Sequence, residues 1–172
     1  VIAMNPLVQM IVFYVFAVPA FLGSVLAAWF PWARWVGRVG TGLTMLLGGA
    51  AVNASFLIRG VTYADFADDA KFAWVTDAWR AVVPGDYTLW IGLLIAFEAV
   101  TGILILSGGW PTRAGLMAAI AFHVGLGVFF SWFLTYYAAV MLVGMGILLR
   151  AEWRPRSAPA RRRAPRRQHR LA

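Results

Sequence analysis

One stretch, residues 114–149, runs for 36 residues with no Asp, Glu, Lys or Arg. As a single helix it would be about 54 Å long, well beyond the roughly 30 Å hydrocarbon core of a bilayer. It also has no polar face to offer water, as a surface helix of a soluble domain would. The stretch must therefore be divided, and its solvent must be lipid. The whole chain agrees, with 62% hydrophobic residues, 13% charged residues and a mean hydropathy of +0.74, values that belong to polytopic membrane proteins. Its 172 residues leave room for four or five spans and little else.

The spans are read in order. Residues 7–30 form a first apolar stretch containing Pro19, which a membrane helix tolerates because neighbours re-satisfy the freed carbonyl. It lacks a basic leading region and is too long for a signal peptide, so it is expected to stay as an anchor. Residues 31–38 read as a short basic, aromatic loop, and residues 39–58 as a second span. Gly48, Gly49, Ala50, Ala51, Ala54 and Ser55 give that span a small face for close packing. Gly125 and Gly127 suggest another. Residues 59–87 carry Asp65, Asp68, Asp69, Asp77 and Asp86 with Tyr63, Phe66, Phe72, Trp74 and Trp79, a pattern for one or two short interfacial helices. A third span covers about 88–106, and a turn-rich segment follows at 107–113. The long run is divided near Phe130 and Phe133, although no Gly or Pro marks a turn there.

The expected fold is therefore all-α: a four-helix membrane bundle over residues 39–150, an extra N-terminal helix within residues 1–38, and a tail from 151. Five spans put Arg34, Arg38 and Arg113 on the same side as the arginine-rich C-terminus and the Asp-rich segment on the other, as the positive-inside rule requires; four spans would reverse those loops. This predicts a membrane protein with its N-terminus outside and its C-terminus in the cytoplasm; the arginine bias, with Lys71 the only lysine, points to a bacterial plasma membrane. All nine tryptophans then fall near helix ends or in the outer segment, where the membrane interface favours them. Nine of the fifteen cationic residues lie from Arg150 onward. Such an Arg/Pro-rich tail cannot bury a core, and Arg161, Arg162, Arg163, Arg166 and Arg167 are expected to meet anionic lipid or simply to fix topology. Nucleic acid is not the expected partner for a membrane-anchored tail of this kind.

Glu98 is the only acid inside any of the long apolar stretches, and an intramembrane acid marks a functional-site hypothesis by default. His123 lies in the next stretch. Each is ten residues from the turn that joins them, so an antiparallel hairpin would place both about 15 Å deep, near the midplane. Two readings stand side by side: a proton-handling pair, or a protonated Glu98 bonded to a neighbouring helix with His123 satisfied separately. Asn53 adds a third polar group, expected as an interhelical hydrogen bonder.

Several chemistries lose their usual signatures. There is no cysteine for disulfides, thiolate metal sites or iron–sulfur ligation, and only two histidines, one of them in the tail. No phosphate loop, nucleophile elbow or His/Asp metal spacing is present, so no self-sufficient catalytic site or metal site is expected.

Residues 36–149 resemble the DoxX-like family of small bacterial membrane proteins. The likeness rests on the glycine-rich helix, on the aromatic outer segment, and on Glu98 followed by Gly102 and a tight turn through Gly108, Thr112 and Arg113. The extra N-terminal span and the arginine-rich tail depart from the family pattern. The resemblance implies a membrane subunit that anchors or serves a quinone-linked redox partner, with Glu98, His123 and Asn53 as candidate proton or quinone groups. Quinone would be the cofactor, since the chain carries no electron carrier of its own, and a partner subunit or homo-oligomer would complete it. A structural or assembly subunit of a larger respiratory or photosynthetic complex, and a small transporter component, are the alternatives.

Overall fold

A computed structural model describes the backbone of residues 6–154, with side chains from residue 14; the arginine cluster at 161–167 lies outside the described residues. Among these the chain is helical, without strands. Helix α1 (Pro6–Leu26) turns through residues 27–30 into α2 (Pro31–Leu43), which continues through a π-helical stretch (Thr44–Ala51) into α3 (Val52–Ile58). A short α4 (Ala73–Val82) and a 3-10 turn (Pro84–Asp86) lead to α5 (Tyr87–Ser107), α6 (Gly109–Phe129) and α7 (Trp132–Trp153). Four helical stretches are long and apolar enough to cross a membrane: Pro31–Ile58, Ala73–Ser107, Gly109–Phe129 and Trp132–Trp153. Helix α1 is itself 21 residues long, about 31 Å.

Local chemistry sets the ends of these helices. The expected loop at 31–38 is instead the start of α2. Phe30 is extended and Pro31 occupies the first helical turn, where its missing N–H costs nothing, so the arginines and tryptophans there project from a helix. Asp86 caps α5 by accepting from Leu89 N–H at 3.2 Å. The α5–α6 turn is a single residue, Gly108, at φ 85°, a left-handed conformation that glycine enters without penalty. Thr112 staples that turn: its hydroxyl accepts from Gly108 N–H at 2.9 Å and donates to the Ile105 carbonyl at 2.8 Å. The long apolar run does break at Phe130–Ser131, where Ser131 is the N-cap of α7 and its hydroxyl accepts from Leu134 N–H at 3.4 Å. A capping serine divides the run without Gly or Pro.

Helices α1 and α2 form the closest contact. A Cβ placed on Gly23 would come within 2.5 Å of Gly37 N, and one on Gly40 within 2.7 Å of Ala20 Cα, so the two backbones touch along Ala20, Gly23, Gly37 and Gly40. Small residues permit this approach, which in lipid supplies much of the packing attraction. The expected small faces contribute only in part. Gly49 lies under the Glu98 carboxyl and Gly127 meets Ala138, but a Cβ on Gly125 would meet nothing and one on Gly48 only its own helix's Thr44. One buried cluster joins Ala17, Ala20 and Ala27 of α1 to Met45, Ile105, Leu116, Ala119, Met141, Met145 and Leu148, so α1 shares the bundle's core.

The two ends of the bundle differ in charge. Residues 59–86 lie over the α6–α7 turn: Lys71 N–H donates to the Phe129 carbonyl at 3.3 Å, Lys71 Nζ bonds the Gly127 carbonyl, and Phe66 and Trp79 pack against Phe130, tilted and edge-on respectively. This end holds five aspartates against Arg59, Lys71 and Arg80. At the opposite end Arg113 donates to the Glu152 carbonyl from Nε and Nη2, and Arg154 reaches the Ala28 carbonyl at 3.1 Å. Arg34, Arg38 and Arg150 complete that basic end, where Glu152 is the one acid among the described residues. Eight of the nine tryptophans are exposed and sit at one end or the other, the arrangement of interfacial belts.

Candidate functional site

At the acidic end, beneath residues 59–86, the bundle forms a partly open cavity of about 300 Å³. The π-helical stretch forms one wall through Thr44, Met45, Gly48 and Gly49, and α3 adds Asn53; α5 supplies Ile91, Leu94 and Glu98. Helices α6 and α7 supply Phe122, His123, Leu126, Leu134 and Tyr137, while Tyr63, Phe66, Trp79 and Phe130 form the roof. The lining is mostly apolar with a few converging polar groups, the usual make-up of a small-molecule site. The widened helical turn belongs to this geometry, since short π-helical segments occur frequently at functional sites. Thr44 steadies the entry to it by donating to the Gly40 carbonyl at 2.8 Å.

The three polar residues singled out in the sequence all line this cavity. Glu98 is 5% exposed and His123 2%, and they take different partners. Glu98 Oε2 accepts from Asn53 Nδ2 at 2.8 Å, and Asn53 Oδ1 accepts from the Tyr63 hydroxyl at 2.8 Å. The result is a chain of three side chains from α5, α3 and the outer segment. His123 Nδ1 lies 2.8 Å from the Ala119 carbonyl and Nε2 lies 3.3 Å from the Tyr137 hydroxyl. Because a carbonyl only accepts, Nδ1 carries the proton there, and a neutral ring then presents Nε2 to the Tyr137 O–H. The glutamate and the histidine therefore face one space, each held by its own tyrosine-bearing network.

Tyr63, an interfacial aromatic by its sequence context, is part of the site. Its φ of 57° is the only positive value at a non-glycine among the described residues. Such a conformation costs of order 1 kcal/mol or more and persists where the surroundings over-determine it. Here the Trp79 indole donates to the Tyr63 carbonyl at 2.8 Å while the hydroxyl holds Asn53. Burial, and next the Glu98 charge, push the Tyr63 phenol up from 10.0 to about 12. Trp79 itself turns inward instead of joining the exposed belt. No local sequence signal distinguishes Tyr63 or Tyr137 from other aromatic residues near helix ends; their role follows from which helices adjoin.

The hairpin residues hold the scaffold outside this space. Gly102 packs against Leu46 and the Gly42 carbonyl, bringing α5 onto α2. Gly108 and Thr112 make the turn, and Arg113 ties α6 to the end of α7. They fix the relative register of α5 and α6, and so the level at which Glu98 and His123 meet the cavity. Among the described residues no three His, Cys, Asp or Glu side chains gather as a metal-ligand set.

No family model matches the chain, and no curated protein or solved structure matches it either.

Proposed function

We propose that the chain is a DoxX-like integral membrane subunit that binds a quinone headgroup in this cavity and serves a redox partner protein. The observation that carries the reading is the meeting of Glu98, Asn53, Tyr63, His123 and Tyr137 around one largely apolar space of about 300 Å³. That volume lies at the small end of ligand pockets: it suits a single substituted ring, whose isoprenoid tail would have to lie among apolar side chains or lipid. The polar set suits the ring's two oxygens: Asn53 and a protonated Glu98 can donate on one side, and on the other the Tyr137 hydroxyl can turn from His123 Nε2 to a ring oxygen.

A quinone supplies reversible uptake of electrons coupled to protons, and the electrons come from or go to the partner. The chain's own residues supply position and protons. Asn53 holds the Glu98 carboxyl toward the cavity and Tyr63 holds Asn53; Tyr137 orients the His123 ring. Glu98 and His123 are the two groups there whose side chains can take up or release a proton without breaking the backbone hydrogen bonds of their helices. The largely apolar lining lowers the local dielectric, which strengthens each hydrogen bond.

The basic end faces the cytoplasm in this reading, and the acid-bearing end with the cavity faces outward, with five spans and the N-terminus outside a bacterial plasma membrane. The support is the charge asymmetry of the two ends and the placement of the α1–α2 turn, the α5–α6 turn and the end of α7 together at one of them. The experiment is native mass spectrometry of the gently solubilised full-length protein. It should retain a quinone and a partner chain, and Glu98→Gln should keep the fold and the partner while abolishing partner-dependent quinone turnover. Retention of neither quinone nor partner by wild type would overturn the proposal.

A further inference from the structure

The five arginines of the basic end divide by what they bond. Arg113 and Arg154 are held by the Glu152 and Ala28 carbonyls, and Arg150 is exposed. Arg34 and Arg38 differ from all three. Each has its Nε buried with no hydrogen-bond partner among the described residues, although a buried charged donor left unpaired is costly. They stand four residues apart on α2, hence on one face of the helix, and Nη1 of Arg38 lies 3.5 Å from the position of a Cβ on Gly108. The guanidinium thus leans over the α5–α6 turn. There α6 begins with neither a side-chain cap nor an acid in its first turn, so its positive end adds to the same field.

The counter-charge is missing from the sequence as well as from the site. From residue 107 to 113, from 27 to 38 and from 153 to 172 there is no Asp or Glu. Glu152, the one acid nearby, makes no ion pair among the described residues. Exposed Trp32 and Trp35 share the first turns of α2 with the pair and exposed Trp110 lies in the first turn of α6, which sets this end at the depth of lipid headgroups. We infer that Arg34 and Arg38, the latter over the Gly108 turn, bind the phosphate of an anionic phospholipid. Arginine's forked donors suit a phosphate's oxygens, and no acceptor among the described residues engages either Nε. The site is separate from the cavity at the other end and from the arginines at 161–167.

The test uses the delipidated full chain in vesicles of phosphatidylcholine with a minor fraction of phosphatidylglycerol, followed by detergent exchange and mass spectrometry of the lipid retained. Wild type should keep phosphatidylglycerol in preference to phosphatidylcholine. The variant R34Q/R38Q should keep it about tenfold or more less well, whereas R150Q and the variant R161Q/R162Q/R163Q/R166Q/R167Q should retain it as wild type does. Loss in the 161–167 variant with retention in R34Q/R38Q would overturn the inference. Inorganic phosphate separates the sources: tight binding of phosphate alone, without lipid preference, would make the site one for a soluble anion and contradict the lipid assignment. Should R34Q/R38Q not fold, R34K/R38K decides, since it keeps the charge and removes the forked geometry; unchanged phosphatidylglycerol retention in that variant would refute the proposed contact.

Discussion

The two halves of the continuous helix Pro31–Ile58 solve opposite problems. In the first half, Gly37 and Gly40 bring α2 against Gly23 and Ala20 so closely that no side chain fits between. In the second half the helix widens into the π-helical stretch, and Gly48 faces open cavity while Gly49 receives the Glu98 carboxyl. Glycine serves both halves, once to exclude space and once to leave it. The number of glycines on a membrane helix thus says little about packing until the neighbour on each face is known.

The comparison breaks most visibly at the glycines themselves. Gly40→Val should destabilise the bundle by about 3 kcal/mol or more, because the backbone of α1 has nowhere to move. Gly48→Ala should stay within about 0.5 kcal/mol of wild type, its added methyl entering the cavity and its helix propensity improving. Thermal unfolding in detergent would check both, and equal losses at the two positions would contradict the contrast.

The polar half offers a smaller effect. Asn53→Leu removes the link between Glu98 and Tyr63 and should cost about 1–2 kcal/mol, since single interhelical hydrogen bonds in membranes are modest and unpaired buried groups add to the loss. Chemical denaturation in mixed micelles would measure it.

Smaller again is the effect of Tyr63→Phe, about 1 kcal/mol, and it carries a pH signature. The Tyr63 phenol is raised from 10.0 to about 12, so its neutral form is favoured in the folded state. Its contribution is therefore present in full below pH 10.0 and lost as pH rises toward about 12. Hydrogen exchange across residues 59–72 should stay protected to pH 10.0 and increase above it, and Tyr63→Phe should flatten that Tyr63-dependent part of the profile.

Much of this architecture was legible because lipid imposes lengths. The excess length of residues 114–149 demanded a break, and the break falls at Phe130–Ser131. The Asp-rich segment lies at one end and Arg34, Arg38, Arg113, Arg150 and Arg154 at the other, the separation that counting spans anticipates. Glu98, His123 and Asn53 were legible as a group because polar side chains are rare in such helices. The helical start at Pro31 was hidden by its arginines and tryptophans, which resemble a loop in composition yet suit the interfacial turn of a membrane helix. The tight α1–α2 contact, the π-helical stretch and the parts played by Tyr63 and Tyr137 depend on which helices lie side by side and at what azimuth. Periodicity within one helix does not encode that.

The central claim is that the cavity beside Gly48 and Glu98 receives a quinone ring. It is tested most directly by equilibrium binding of a short-chain benzoquinone to the protein in lipid nanodiscs, comparing wild type with Gly48→Leu, a substitution that fills the cavity without touching its polar groups. The account predicts saturable binding of one molecule per chain by wild type and its loss in a folded Gly48→Leu variant. Equal binding by the two proteins, or none by wild type, would contradict it.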